Sequence, residues 1–197
     1  MSNPSTPIVA ICIPSGDMVH ADFAANLAAL CLNPGAKTAV INCKGSIIPV
    51  VRNQCVAAAQ LIKATHVLFL DTDMTFPLDV LKRLLAHGKD IIGAVYSRRR
   101  APFGPTGLPL DGAKESGGLL RMKNLPTGCV LINMRVFENL SKPWFSDRIE
   151  GEHILGEDFH FCEKATAAGF EIWQDTALSR EVGHIGEKIF KLGEMHT

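Results

Sequence analysis

HVLFLDTDM, residues 66–74, contains an unbroken apolar run of Val67, Leu68, Phe69 and Leu70 that stops at two carboxylates, Asp71 and Asp73. A run without polar alternation reads as a parallel strand covered on both faces, and ligands of open α/β sheets gather beyond the carboxyl ends of such strands. Two hard oxygen donors in that place suit Mg2+ or Mn2+ bridging phosphates. Asp-x-Asp tripeptides are common by chance, so the weight of this one comes from its position and its partners downstream.

The flanking segments alternate in type. PIVAICIP, 7–14, predicts a first strand, and 18–32 a helix capped by Asp17 with Phe23, Leu27 and Leu30 on one face. KTAVINC, 37–43, predicts a second strand, and 51–63 a second helix. After Phe76, Pro77 predicts the first position of a helix running through Leu78, Leu81, Leu84 and Leu85 to Gly88, and DIIGAVY, 90–96, another strand. This β-α-β-α-β-α-β order predicts an α/β fold with a doubly wound, Rossmann-like sheet.

The second half breaks that pattern. Residues 97–118 hold five Gly and three Pro and predict a long loop, functional or mobile. Short strands follow near 119–122 and 128–134, then a helical turn at 135–140 and a helix at 156–169 with acidic residues in its first turn. FEIWQ (170–174) and ALSREV (177–182) carry strand signals.

Length and composition narrow the class. A chain of 197 residues suits one domain with a sizeable core. With 20 basic and 20 acidic side chains and 47% hydrophobic residues, it resembles neither a disordered chain nor a polybasic nucleic-acid binder. The six cysteines include no C-x-x-C pair and lie mostly in apolar segments, which predicts reduced core thiols. Without a basic leader or a long apolar span, the chain reads as soluble and cytoplasmic.

Three separated features complete the picture: the Asp-x-Asp at 71–73, the Gly156, Glu157, Asp158 triplet, and His184 in VGHIGEKIF. Together with Pro14 and Ser15 ending the first strand, Arg52 and Asn53 opening the second helix, and PTGCVLI at 126–132, they resemble the nucleotide-sugar glycosyltransferases of the GT-A fold, especially the large inverting family 2. The resemblance covers most of the chain. It implies one domain with a mixed, mainly parallel sheet flanked by helices, a nucleotide-binding half at about 7–96 and an acceptor or catalytic half at about 119–197. It also implies a UDP- or GDP-sugar donor and Mn2+ or Mg2+. By the same resemblance Pro14, Ser15, Arg52 and Thr72 cradle the nucleotide, Asp71 and Asp73 bind metal and ribose, and Gly128 passes beside the donor sugar. Asp158 is then the base, and His184 completes the metal shell. The chain departs from many relatives in having Asn42, with Lys44 nearby, where an acidic residue after the second strand is usual.

The chemistry stands on its own as well. A sugar nucleotide leaves as a nucleoside diphosphate, so a cation that neutralises the leaving oxygen lowers the barrier. Asp73 is the leading direct ligand, His184 a second, and Asp71 is shared between metal and ribose. Attack by an acceptor hydroxyl needs a carboxylate base, and Asp158 is the candidate; helix-start amides predict a lowered pKa for it. Glu157 is expected to bind sugar hydroxyls, and Lys188 to reach the diphosphate if the C-terminal segment closes as a lid. The basic run at 98–100 reads as a diphosphate clamp, a contact to an anionic acceptor, or a solvated loop. Trp144 and Phe145 read as a sugar platform or as core anchors.

Two other functions fit the same fold. A nucleotidyltransferase would present a glycine-rich basic loop after the first strand, which IPSGDM lacks, and a non-catalytic sugar-nucleotide or carbohydrate-binding module would keep the cleft without turnover. The acceptor is open, with no motif for nucleic acid or an amphipathic membrane helix. The short second half favours a small or externally presented acceptor, or a site completed by a second subunit.

Overall fold

In the computed structural model, which describes residues 6–99 and 102–186, the first half follows the predicted alternation. β1 (Ile8–Ser15), α1 (Ala21–Leu32), β2 (Lys37–Lys44), α2 (Ile48–Leu61) and β3 (His66–Leu70) come first, and β1 pairs in parallel with β2 on one side and β3 on the other. Next are β4 (Met74–Thr75), α3 (Val80–Ala86), β5 (Ile91–Gly93), β6 (Leu108–Pro109), β7 (Leu119–Asn124) and β8 (Cys129–Asn133). α4 (Met134–Glu138), a hairpin of β9 (Arg148–Glu150) and β10 (His153–Leu155), α5 (Glu157–Ala167), β11 (Ile172–Asp175) and β12 (Gly183–His184) follow.

Eight strands form one mixed sheet in the order β2-β1-β3-β8-β5-β11-β7-β6, and helices cover both faces of this single domain. β8 runs antiparallel between β3 and β5, and β7 antiparallel between β11 and β6, so only these two oppose the common direction. The pleat sorts side chains by parity. Along β1 and β3, Ala10, Cys12, Val67 and Phe69 meet α2, α4 and α5, while Val9, Ile11, Leu68 and Leu70 meet α1 and α3. That two-sided burial is why β3 shows no polar alternation.

Aromatic side chains lock the first of these layers. Phe145 stacks on Phe161 at 4.7 Å between centroids and meets Phe69 edge-on at 5.5 Å, while Trp144 donates from Nε1 to the Phe137 carbonyl at 2.9 Å. Trp144 and Phe145 are 3% and 1% exposed, so of the two readings of the PWF segment the core anchor holds and the sugar platform does not. Asn53 secures the same segment: its Oδ1 accepts from the Trp144 and Phe145 amides, and its Nδ2 donates to the Phe145 carbonyl at 2.7 Å.

Several local expectations change. Asp17 does not cap α1, because its carboxylate accepts from Lys44 Nζ at 3.1 Å across the strand ends, and the helix starts at Ala21 after His20. α2 begins before the expected boundary, with Pro49 in its first turn. Pro77 does not open α3, since the Val80 amide donates to its carbonyl at 3.0 Å and makes a turn ahead of the helix. ALSREV is not a strand. Asp175 Oδ1 accepts from the Leu178 amide at 2.8 Å and its carbonyl from Ser179 Oγ at 2.6 Å, which winds Leu178–Arg180 into a 3-10 turn. Within 97–118 the chain has some regular order, in β6 and in a bridge between Ser97 and Pro105.

Cys12, Cys55, Cys129 and Cys162 are buried, Cys43 is half-buried and Cys31 exposed, all as free thiols. Burial pushes the Cys129 and Cys162 thiols up to about 12, which keeps them protonated and unreactive. Among the described residues no helix is long and apolar enough to cross a membrane.

Candidate active site

The carboxyl ends of β1 and β3 open onto a cleft of about 340 Å3 lined by Pro14, Ile48, Arg52, Asp71, Thr72, Asp73, Tyr96, Arg99, Thr127, Glu157 and Asp158. Each enters for a topological reason. Asp71 follows β3 directly, and its amide donates to the Gly128 carbonyl at 3.0 Å because β8 starts beside the end of β3. Glu157 and Asp158 open α5, which the Phe145–Phe161 stack holds against the sheet.

Arg52 lies beneath the cleft, only 3% exposed. Its Nη2 donates to Asp71 Oδ1 and Oδ2 at 2.9 and 3.1 Å, its Nε to Glu157 Oε1 at 3.2 Å, and its guanidinium lies 5.4 Å from the Phe69 ring centroid. Burial alone would weaken its charge, but Asp71 and Glu157 outweigh that and hold the guanidinium protonated. One arginine thus ties the end of β3 to the start of α5 and fixes the spacing of the cleft's walls. Truncating it strands two carboxylates of low exposure. Arg52→Ala is therefore expected to destabilise the fold by roughly 3 kcal/mol, read as a lower urea midpoint at unchanged m.

Asp73 and His184 meet although they are far apart in sequence. β4 pairs antiparallel with β12, which sets His184 opposite Met74, and the Ile185 amide donates to the Asp73 carbonyl at 2.7 Å. His184 Nε2 lies 3.3 Å from Asp73 Oδ2, while its Nδ1 faces the Ser97 carbonyl at 3.0 Å, so one ring nitrogen is oriented by backbone and the other faces the carboxylate. Gly183 permits the pairing, since a Cβ there would lie 2.5 Å from Thr75 Oγ1. Arg99 also donates from Nη1 to Asp73 Oδ2.

Asp158 departs from the sequence expectation. Helix-start amides predict a lowered pKa, and the Phe159 amide does donate to Oδ1 at 2.8 Å, but burial first and the Glu157 charge second outweigh it and push Asp158 up to about 6. The carboxyl is thus poised near neutrality, where a general base works best.

Tyr96 and Thr127 line the cleft without having been singled out in the sequence, and of the basic run at 98–100 it is Arg99 that lines it. Tyr96 left a signal as the chain's one tyrosine, ending the apolar DIIGAVY run. Its Oη accepts from the Gly128 amide at 3.1 Å, and its ring meets His184 edge-on at 5.0 Å. Burial, then the Asp71 charge, raise its pKa and keep the phenol neutral. A Cβ on Gly128 would lie 2.3 Å from that oxygen. Gly128→Ala is therefore expected to cost about 1–3 kcal/mol, lowering Tm by several degrees. Adding Tyr96→Phe, which removes the clashing oxygen, should recover part of the loss.

The predicted residues are thus largely brought together. Pro14, Arg52, Asp71, Thr72, Asp73, Glu157 and Asp158 line the cleft, with Gly128 and His184 against Tyr96 at its wall. Ser15 is buried behind it, its Oγ donating to Asn42 Oδ1 at 3.1 Å. Lys188 lies outside the described residues. Among those described, no three of His, Cys, Asp and Glu stand together as a ready-made metal cage, because Asp71 turns to Arg52 and leaves Asp73 and His184 as the adjacent pair.

No family model and no curated protein matches the sequence. Among solved structures, the chain is similar to A197 from STIV, with 13% identity, 95% of this chain and 99% of that one covered, and a TM-score of 0.57. That likeness shows a shared fold. A second likeness, to a candidate glucose-1-phosphate thymidylyltransferase from Bacillus anthracis in complex with sucrose, has 15% identity over 92% of this chain and 78% of that one, at a TM-score of 0.41.

Proposed function

We propose that this cleft transfers a sugar from a nucleoside-diphosphate sugar to an acceptor hydroxyl, with inversion. The observation that carries the reading is the convergence, in one cleft at the carboxyl ends of parallel strands, of the adjacent Asp73 and His184 with Asp158, whose carboxyl is pushed up to about 6. The GT-A-type resemblance of the sequence motifs supports the same assignment.

The donor set fits a divalent cation. Mg2+ and Mn2+ bind through one or two protein groups together with substrate phosphates, and a carboxylate and an imidazole 3.3 Å apart are such a pair. When bound, the cation would neutralise charge on the departing diphosphate. Asp71, oriented by Arg52 from behind, offers its carboxylate to ribose hydroxyls. Glu157, tied by one oxygen to the same arginine, lies beside Asp158, where sugar hydroxyls would be positioned. Asp158 accepts the proton of the acceptor hydroxyl as that oxygen bonds to the anomeric carbon. The bond from that carbon to the diphosphate breaks, and its electron pair leaves with the diphosphate. The weakly hydrated Asp158 environment favours proton uptake during attack over full ionic solvation beforehand.

The test is thermal stabilisation by UDP and by GDP, with and without Mn2+, followed by hydrolysis or transfer assays across a panel of nucleotide sugars. At a ligand concentration about 100 times Kd, binding should add about 2.7 kcal/mol of stability. Metal-dependent stabilisation with donor turnover is the expected result. Stabilisation without turnover of any donor would mark a binding module, and stabilisation by neither nucleotide would exclude the reading.

A further inference from the structure

Among the described residues, Arg99 is the basic side chain nearest to the Asp73 carboxylate, and the transfer chemistry above gives it no role. Its guanidinium donates from Nη1 to Asp73 Oδ2, the oxygen that also faces His184 Nε2, so it holds a position that a metal bound by these two residues would contest. The backbone around Arg99 is tied down, and its side chain reaches solvent. The Arg98 amide donates to the Gly104 carbonyl at 2.9 Å, Ser97 bridges Pro105, and the Ser97 carbonyl faces His184 Nδ1, while the Arg99 side chain remains about half exposed, at 47%. Arg99 also lines a second recess of about 320 Å3, with Met18, Val19, His20, Thr72 and Asp73, next to the main cleft. A guanidinium on the wall shared by two recesses can change partners by side-chain rotation alone.

We infer that Arg99 is the diphosphate-binding residue of this cleft, held on Asp73 until a divalent cation takes that carboxylate and then released onto the phosphates. The inference rests on the proposed nucleotide-sugar reading. Guanidinium and cation compete for one oxygen, so metal binding frees the fork that matches phosphate oxygens. Metal and nucleotide then bind with positive coupling, and by linkage each strengthens the other by the same factor. The exposed Arg99–Asp73 pair is weak enough to be exchanged, since pairs of this kind contribute less than about 1 kcal/mol.

Two titrations test this on the whole chain. With MnCl2 alone, followed by the electron paramagnetic resonance of free Mn2+, Arg99→Ala should bind the ion about two- to fivefold more tightly than wild type, because the competitor is gone. With UDP or GDP in saturating Mn2+, followed by calorimetry, the same variant should bind about tenfold more weakly, and Arg99→Lys should recover only part of that loss. A mutant cycle separates release from simple charge. Without metal, Arg99→Ala should change nucleotide affinity by less than about twofold in wild type but about tenfold beside Asp73→Asn, which unties the guanidinium. An equal effect in both backgrounds, an unchanged Mn2+ affinity, or an unchanged nucleotide affinity in Mn2+ would each overturn the inference. If wild type binds neither nucleotide with Mn2+, the functional reading itself falls and this inference with it.

Discussion

Asp158→Asn is expected to slow sugar transfer by about 100- to 10,000-fold while leaving nucleotide affinity within about twofold, because the amide keeps the shape of the side chain and loses its ability to take a proton. The pH profile sharpens the prediction. Asp158 must be unprotonated to act, and burial places its titration at about 6, so wild-type turnover should fall about tenfold per pH unit below that value and level off above it. The variant should lack this limb. An acidic limb retained in Asp158→Asn would assign the base to another group, and Glu157 would be the first to examine.

Stability should move the other way. In the unfolded chain Asp158 titrates near its ordinary 3.8, and in the fold near 6, so between those values the folded state binds more protons than the unfolded one and stability declines as pH rises. The cost is fully present above about pH 6 and vanishes below about pH 4. Asp158→Asn removes it and should raise stability at pH 7.5 by on the order of 1–2 kcal/mol, a gain that disappears in acid. Slower and more stable together is the signature of a residue retained for chemistry at the expense of the fold.

Asp73→Ala is expected to abolish the metal dependence of nucleotide binding, with affinity for UDP or GDP in Mn2+ falling by about a hundredfold or more to a level that Mn2+ no longer changes. On the proposed reading Asp73 supplies a donor to the cation, and it also holds the region in shape. Its carboxylate faces His184 Nε2 and its backbone carbonyl accepts from the Ile185 amide, and only the first of these is lost in the variant. The β4–β12 pairing should therefore survive, and the melting temperature should change far less than nucleotide affinity. A fall in affinity matched by general unfolding would mean that Asp73 acts structurally. His184→Ala should repeat the effect in weaker form, because a carboxylate carries the charge that attracts the cation.

Much of this arrangement was legible in the sequence because the strands are covered on both faces. Val67 to Leu70 had to be apolar throughout, and their abrupt end at Asp71 announced the cleft. α5 was equally plain, with Glu157 and Asp158 in the first turn and Gly169 just beyond its end. At Asp17 a long-range bond to Lys44 overrides the cap, whereas at Pro77 and ALSREV short-range turn bonds, from the Val80 amide to Pro77 and from Leu178 and Ser179 to Asp175, override helix and strand propensity. Asp158, like Asp17, is decided by its surroundings. Helix-end dipoles are visible in sequence, but burial and a neighbouring charge are not, and here those two win.

The site residues that sequence reading missed are those that act through long-range packing. Tyr96 reaches the cleft because β8 lies beside β5, and Arg99, legible only as one of a basic run, is set apart from its neighbours by its contact with Asp73. Neither adjacency leaves a periodic trace. The two-residue strands β4 and β12 are likewise too short to read, yet their pairing sets His184 beside Asp73. Asp71 offers the opposite lesson. Its motif reads as a ligand shared between metal and ribose, and in the structure its carboxylate is engaged by Arg52, a partner that the tripeptide does not reveal.

On the proposed reading Asp73 and His184 hold the cation to which a nucleoside diphosphate binds. Crystals grown with Mn2+ and UDP or GDP, with diffraction collected to locate manganese by its anomalous signal, test it most directly. One strong peak is expected about 2.1 Å from both Asp73 Oδ2 and His184 Nε2, with phosphate oxygens completing the shell and the Arg99 guanidinium moved onto the diphosphate. A well-ordered nucleotide in the cleft with manganese bound elsewhere, or with Arg99 still on Asp73 and no peak beside it, would contradict it.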